Sequence, residues 1–342
     1  MKLQVSESVN KKDWDTKICF AGGTIFHSSI WADYTMAGNP NAVPQYYTLL
    51  SDDGEFLGAA LGFQDCSPHK LLKRFTRSLW FDAMPVVRNN DGKLFYEFIG
   101  LLDSQARRTG YVHLLIESYA SRDASSDLEK LGYDLMRRLE FELLLDCSEK
   151  DLWSGLESKQ RNIIRKAERI GVKLHNLPAQ KGVQELRRLQ IESGQRILQR
   201  GGPDVIYRGE HLHDPVGVLV ESGLGTIVAA EVNGAFVSAA LFTFFNGLVY
   251  FTMAGHDEVA LKTQAPTFLL WETIKRFRND GATRFNLGGC KATAMNKDSA
   301  EHGVYAYKKT FGAKCVECAT GVKILKKTSH GLISAIKVIV RR

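Results

Sequence analysis

A chain of 342 residues, 44% hydrophobic and 24% charged, is long enough for two globular domains and too apolar to be disordered. Its net charge of +7 favours anionic partners such as nucleotides, tRNA, lipid phosphates or an acidic membrane surface. Six scattered cysteines are too sparse for a secreted disulfide framework, no run reaches the roughly 18 apolar residues of a spanning helix, and residues 1–7 are polar, so a cytoplasmic protein with free thiols is expected.

Ser28 or Ser29 caps a helix predicted over 26–36, with Ile30, Trp31 and Tyr34 on one face. Strand-like runs follow at 45–50, 55–64 and 77–87, the first two joined by the hairpin turn Asp52-Asp53-Gly54. Asn89-Asn90-Asp91-Gly92 opens a helix through Arg108, with Leu94, Phe95, Phe98, Leu101 and Leu102 at helical spacing, and Gly110 closes it. A strand over 111–118, a short helix over 125–132 and a strand over 135–146 complete an α/β layer. A domain over 1–147 is expected, with a second over 148–342.

The second half opens on a helix over 148–170, its buried face marked by Leu152, Leu156, Ile163, Ile164, Ala167 and Ile170. Lys159, Arg161, Arg165, Lys166 and Arg169 form a basic stripe opposite. A strand at 172–177, helices at 183–198 and 214–221, and strands at 226–232, 235–245 and 248–253 follow, the last three turned at Asn233-Gly234 and Asn246-Gly247. Pro266 starts a helix that runs to Asn279.

The chain is organised around 284–312. Arg284-Phe285-Asn286-Leu287 alternates like a strand and ends in Gly288-Gly289, whose backbone either takes positive φ in a turn or lets a ligand approach closely. A polar loop leads to a helix bearing Tyr305, Tyr307, Lys308 and Lys309, stopped by Phe311-Gly312. Strands at 314–325 hold Cys315-Val-Glu-Cys318, which has no second ligand pair at zinc spacing; neither it nor His211-Leu-His213 is read as a metal site. An apolar, basic-ended helix over 331–342 either packs across the two domains or lies on an anionic inner membrane face.

The two halves repeat. DDGEFLGAALGF of the first hairpin overlies VNGAFVSAALFTF of the second, with Ala59-Ala60-Leu61 matching Ala239-Ala240-Leu241. Both hairpins are followed by another strand, an apolar helix and a strand, so tandem duplication is expected, with a ligand cleft between two like domains. No nucleophile elbow, phosphate-binding loop or dinucleotide fingerprint occurs.

The early FHSSIW around Trp31, Trp153 followed by KQRNIIRKAERIGVKL, and the closing FNLGGCK and GVYAYKKTFGAK together resemble the Fem family of peptidyltransferases. Those enzymes attach amino acids from aminoacyl-tRNA to the peptide of a peptidoglycan precursor; GNAT-like proteins of envelope polysaccharide synthesis are related to them. The resemblance implies an α/β (α+β) chain of two tandem GNAT-like domains, each a mixed, mainly antiparallel sheet flanked by helices, acting as an acyltransferase or aminoacyltransferase on an anionic envelope precursor. It implies that Lys308 donates to the developing oxyanion or a nearby phosphate, with Tyr305 as a general acid and Gly288, Gly289 and Tyr307 lining the substrate. Arg161 and Arg165, one helical turn apart, would hold the anionic acceptor, and Glu117 in LLIESY would take the amine proton where the family commonly has Asp-Pro. No tightly bound cofactor is implied; the acyl donor is aminoacyl-tRNA or acyl-coenzyme A. The stretch AGHDEVALKTQAPTFLLW lacks the glycine-rich pyrophosphate loop of coenzyme A enzymes, which favours the tRNA ester. An acyl-coenzyme A N-acyltransferase acting on an amino sugar or small amine, and a non-catalytic RNA-binding or envelope-assembly module, are the alternatives.

Overall fold

The computed structural model describes residues 1–65, 76–201, 204–206 and 214–326. His211, His213 and the helix expected over 331–342 lie outside the described residues. The chain divides into two compact units, one of residues 1–138 and 317–342, the other of 139–316. The division falls at 138/139 rather than at 147/148, and the chain from Glu317 onward returns to the first unit.

In the first unit β1 (Lys2–Ser6), β2 (Val43–Leu50), β3 (Phe56–Asp65) and β4 (Ser78–Phe81) are antiparallel neighbours in chain order, with β5 (Val86–Val87) also on β3. β6 (His113–Ile116) runs parallel to β4, as a helical crossover requires, and β13 (Lys314–Ile324) pairs antiparallel with β6 from Gly321 to Ile324. The crossover is α3 (Gly92–Thr109), capped by Asp91 and ended by Gly110 at φ 88. Phe95, Phe98, Ile99, Leu102 and Ala106 are fully buried along one face of it, each large side chain adding about 1.5–3 kcal/mol of apolar burial. The helix α2 (Ser29–Gly38) starts on Ser28, whose hydroxyl accepts from Trp31 N. Composition had not revealed β1 or α1 (Lys11–Phe20), because β1 is almost wholly exposed and α1 buries only Trp14 and Ile18. A short α4 (Ser125–Lys130) precedes β7 (Asp134–Leu144), within which the unit boundary falls.

The second unit repeats the plan. β8 (Lys173–Leu177), β9 (Gly225–Val232), β10 (Ala235–Phe245) and β11 (Leu248–His256) are antiparallel neighbours, β12 (Arg284–Lys291) is parallel to β11, and the C-terminal part of β7 lies beyond β12. Asn233-Gly234 and Asn246-Gly247 take positive φ throughout, the turn geometry that matches strand twist. Ala59-Ala60-Leu61 and Ala239-Ala240-Leu241 occupy β3 and β10, the same place in both sheets. The crossover α10 (Ala265–Asn279) has Pro266 in its first turn and buries Leu269, Leu270, Ile274 and Phe277. The single helix expected over 148–170 is two, α5 (Glu149–Gly155) and α6 (Ser158–Ile170). Leu156 between them is extended (φ −65, ψ 143), yet it is buried and keeps the apolar rhythm, which hides the break in the sequence; Ile170, expected inside, is 42% exposed. The long α7 (Ala179–Gln199) lies against β11. A Cβ on Gly255 would come 2.3 Å from Gln190 N, and His256 O accepts from Ser193 Oγ (2.7 Å) and Arg196 Nη1 (3.0 Å). After a short α8 (Val216–Glu221) and, beyond β11, α9 (Glu258–Thr263), the unit ends with α11 (His302–Lys309). No described helix is long and apolar enough to cross a membrane.

Candidate functional site

The second unit contains a gap made by its own strands. β11 and β12 pair only at Leu248↔Arg284, Val249↔Phe285 and Tyr250↔Asn286, although β11 continues to His256 and β12 to Lys291. Immediately past Tyr250 the pairing of β11 with β10 jumps from Phe242↔Phe251 to Leu241↔Met253, so Thr252 is an extra residue that bends β11. Parallel strands that part in this way face each other with backbone groups a ligand can use. At the matching place in the first unit, β4 and β6 stay joined: Glu117 N donates to Phe81 O (2.7 Å) and Tyr119 N to Asp82 O (3.2 Å).

Gly288 and Gly289 lie on the β12 side of the gap. Gly288 has φ 74, and a Cβ there would sit 3.2 Å from Phe251 O, 3.3 Å from Lys308 Nζ and 4.0 Å from Tyr250 Oη. A side chain there would crowd these atoms and would be strained at that φ, so glycine lets a cation, a carbonyl and a phenol meet beside the backbone. Lys308 is 8% exposed; its Nζ donates to Gly289 O at 3.0 Å and stands 5.9 Å over the Phe141 ring. Lys308 thus reaches Gly288 and Gly289, and Tyr305 packs edge-on against the same Phe141 ring (5.7 Å).

Tyr307 does not join them. On a helix it projects about 160° away from Tyr305, and it packs on Phe311 while bonding Thr267 of α10. Burial pushes its hydroxyl up to about 12, against the effect of the Thr267 bond, so it is a packing group. Arg161 and Arg165 have their contacts at the α5–α6 junction. Arg161 Nη1 donates to the carbonyls of Trp153, Ser154 and Leu156, closing the C-terminus of α5, and Arg165 lies 5.2 Å over the Trp153 ring. Glu117 belongs to the first unit, where its Oε2 accepts from Thr320 Oγ1. Asp82 stands one residue past β4, as Glu117 stands one past β6; burial raises it to about 6 against the Trp31 Nε1 hydrogen bond (2.7 Å), with the Glu117 charge adding to the rise.

Three residues at the gap were not foreseen. Glu140 on β7 is 4% exposed; its Oε1 accepts from Tyr250 Oη (3.1 Å) and its Oε2 from Asn286 Nδ2 (2.8 Å). Asn286 Oδ1 in turn accepts from Gly288 N (2.7 Å), a donor only, which fixes the amide orientation. The signal available was weak: Glu140 sits at the polar phase of LEFELL, and only the flanking strands show that this phase is buried too.

Residues 158–309 match the family profile described as acetyltransferase (GNAT) domain. The chain is similar to the crystal structure of FemX, with a TM-score of 0.77 at 14% identity over 97% of this chain and 100% of that one. It is also similar to L-PGS from Bacillus licheniformis (TM-score 0.55, 15% identity, 97% of each chain). A third likeness is to a tandem GNAT protein from the clavulanic acid biosynthesis pathway (TM-score 0.54, 12% identity, 95% of this chain and 99% of that one). No curated protein matches the sequence. With its repeated strand order and the parted strands of its second unit, the chain has the tandem GNAT fold, a mixed α/β architecture of the kind found in FemX.

Proposed function

We propose that the second unit transfers an activated acyl group, carried as an aminoacyl ester on tRNA, to a primary amine of an anionic cell-envelope precursor. The observation that carries this reading is the parting of β11 and β12 beside Gly288, with the buried Lys308 Nζ held at that edge by Gly289 O, inside a GNAT fold. Acyl transfer to an amine needs reactants held together and the tetrahedral oxyanion stabilised. A buried ammonium beside an unpaired strand edge supplies both, and an aminoacyl ester is reactive enough that no tightly held cofactor is required. The net charge of +7 suits tRNA and a nucleotide- or lipid-linked acceptor at the inner membrane face.

The donor is argued from the start of α10. Where a coenzyme A enzyme would offer glycine backbone, α9 is formed instead, Gln264 joins it to α10, and Pro266 removes one amide from the first turn. The second reading, an acyl-coenzyme A N-acyltransferase, is favoured by the match of 158–309 to an acetyltransferase domain. Incubation of the protein with labelled aminoacyl-tRNA and, separately, labelled acetyl-coenzyme A in the presence of envelope precursors and simple amines separates them. Amide product from the tRNA ester alone is expected. Product from acetyl-coenzyme A alone would replace this reading with the second, and retention of tRNA without any transfer would make the protein a binding module.

A further inference from the structure

We infer that Tyr250 and Glu140 form a proton relay serving the gap between β11 and β12, with Tyr250 the group that meets the attacking amine and Glu140 the residue that positions Tyr250 and takes its proton. The inference rests on the acyl-transfer reading of this gap and assigns it two residues. Tyr250 is the last β11 residue paired with β12 before the strands part, so its ring stands at the apex of the gap. Its Oη donates to Glu140 Oε1 at 3.1 Å, and the same oxygen lies 4.0 Å from the point a side chain at 288 would take. A phenol that donates to a carboxylate presents its oxygen lone pairs to whatever enters beside it. Phe251 O and Lys308 Nζ border the same edge of the gap, where the carbonyl would accept a second hydrogen of the amine and the ammonium would face the acyl oxygen.

Glu140 is held for this task on both sides. Its second oxygen is occupied by Asn286, itself locked by Gly288 N, so the carboxylate cannot turn away from Tyr250. A carboxylate at 4% exposure is placed among central strands at a cost, and its hydrogen bonds to Tyr250 and Asn286 lead to the gap. The step balances as follows. A neutral amine forms its C–N bond to the acyl carbon, whose oxygen becomes an oxyanion against the Lys308 ammonium. The amine proton moves to Tyr250 Oη as the Tyr250 proton moves to Glu140 Oε1. The acyl bond to the donor then breaks, its oxygen or sulfur takes a proton from Lys308, and return of the Glu140 proton to Lys308 resets the site.

Tyr250→Phe, Glu140→Gln and the double variant, each checked for an unchanged circular dichroism spectrum, are assayed for transfer from the active donor to a primary alkylamine and to hydroxylamine. Hydroxylamine is unprotonated near neutral pH and strongly nucleophilic, so it needs little help from a base. With the alkylamine a loss of roughly 10²–10⁴-fold is expected in either single variant, with no further loss in the double. With hydroxylamine the loss is expected to be about tenfold or less, since the general-base contribution is then dispensable. Equal losses with both acceptors would reduce the pair to packing, and unchanged rates with the alkylamine would remove it from the reaction. Absence of any transfer by the unaltered protein, hydroxylamine included, would instead remove the acyl-transfer reading and the relay with it.

Discussion

Lys308 is a buried cation, and such a charge is costly unless it is compensated or used. Replacement by Met keeps the bulk and removes the ammonium. Transfer is expected to fall by on the order of 10²–10³-fold, as for loss of a preorganised oxyanion donor, with the circular dichroism melt little changed. Lys308→Arg should not restore it, because the planar guanidinium cannot take the place of a compact point charge beside Gly288. In the first unit His27 and Asp82 give opposed pH dependences. His27 Nε2 meets Met84 O (2.8 Å) and Nδ1 takes Thr24 N (3.1 Å); burial lowers the ring from 6.5 to about 4. The stability it contributes is complete above pH 6.5 and lost as pH falls through 4, because in between the unfolded chain binds the extra proton. Asp82, raised from 3.8 to about 6, acts oppositely: its contribution is complete below 3.8 and lost as pH rises through 6. Urea denaturation between pH 4 and 7 should therefore show His27→Gln gaining stability on acidification and Asp82→Asn losing it more steeply than the parent. Parallel curves for all three would refute both assignments. Lys308 and the glycine pair were legible because a lysine after a glycine-ended strand is a local pattern. Glu140, Tyr250 and Asn286 were not, since Tyr250 and Asn286 reach Glu140 across 110 and 146 residues of chain.

At the scale of elements, the hairpins, α3 and α10 followed from turn chemistry and period, while the α5–α6 break did not. What holds that break is Arg161, whose guanidinium satisfies carbonyls that a helix end leaves bare. Arg161→Ala is expected to cost about 1–2 kcal/mol in denaturant unfolding, with the KM for the acceptor unchanged in the folded protein. A large rise in KM at unaltered stability would return Arg161 to the substrate-holding role its spacing suggested. The exposed cations of α6, Lys159, Arg165, Lys166 and Arg169, remain the part of the basic stripe that meets solvent.

For the whole molecule, the repeat was visible in the letters because each hairpin is a short-range feature. The boundaries were not, because β13 comes back from the far end of the chain to lie on β6, a pairing no local pattern announces. Its residues are integral to the first unit: Cys318, Ala319 and Thr320 are buried, and Lys323 Nζ pairs with Asp103 (3.0 Å) where both side chains are under 15% exposed. A fragment of residues 1–147 is therefore expected to fail to fold, as judged by a missing cooperative melt and rapid proteolysis. A cooperative melt of that fragment alone would show that β13 is dispensable.

The contact of Gly255 with the backbone of α7 has a mechanical consequence. With no side chain between them and His256 O tied to Ser193 and Arg196, the β11 arm of the gap is anchored to the longest described helix of its unit. The opposite arm ends at Lys291, whose N–H donates to Glu301 Oε2 (3.0 Å), and leads into a single helical turn over 292–295 and further turns before α11 begins. One jaw is thus braced along a long helix, while the other, held by β7 and Lys308, leads into a loop. Amides of 253–257 should exchange hydrogen far more slowly than those of 290–301, and accommodation of differently shaped acyl groups should come from movement of the second jaw.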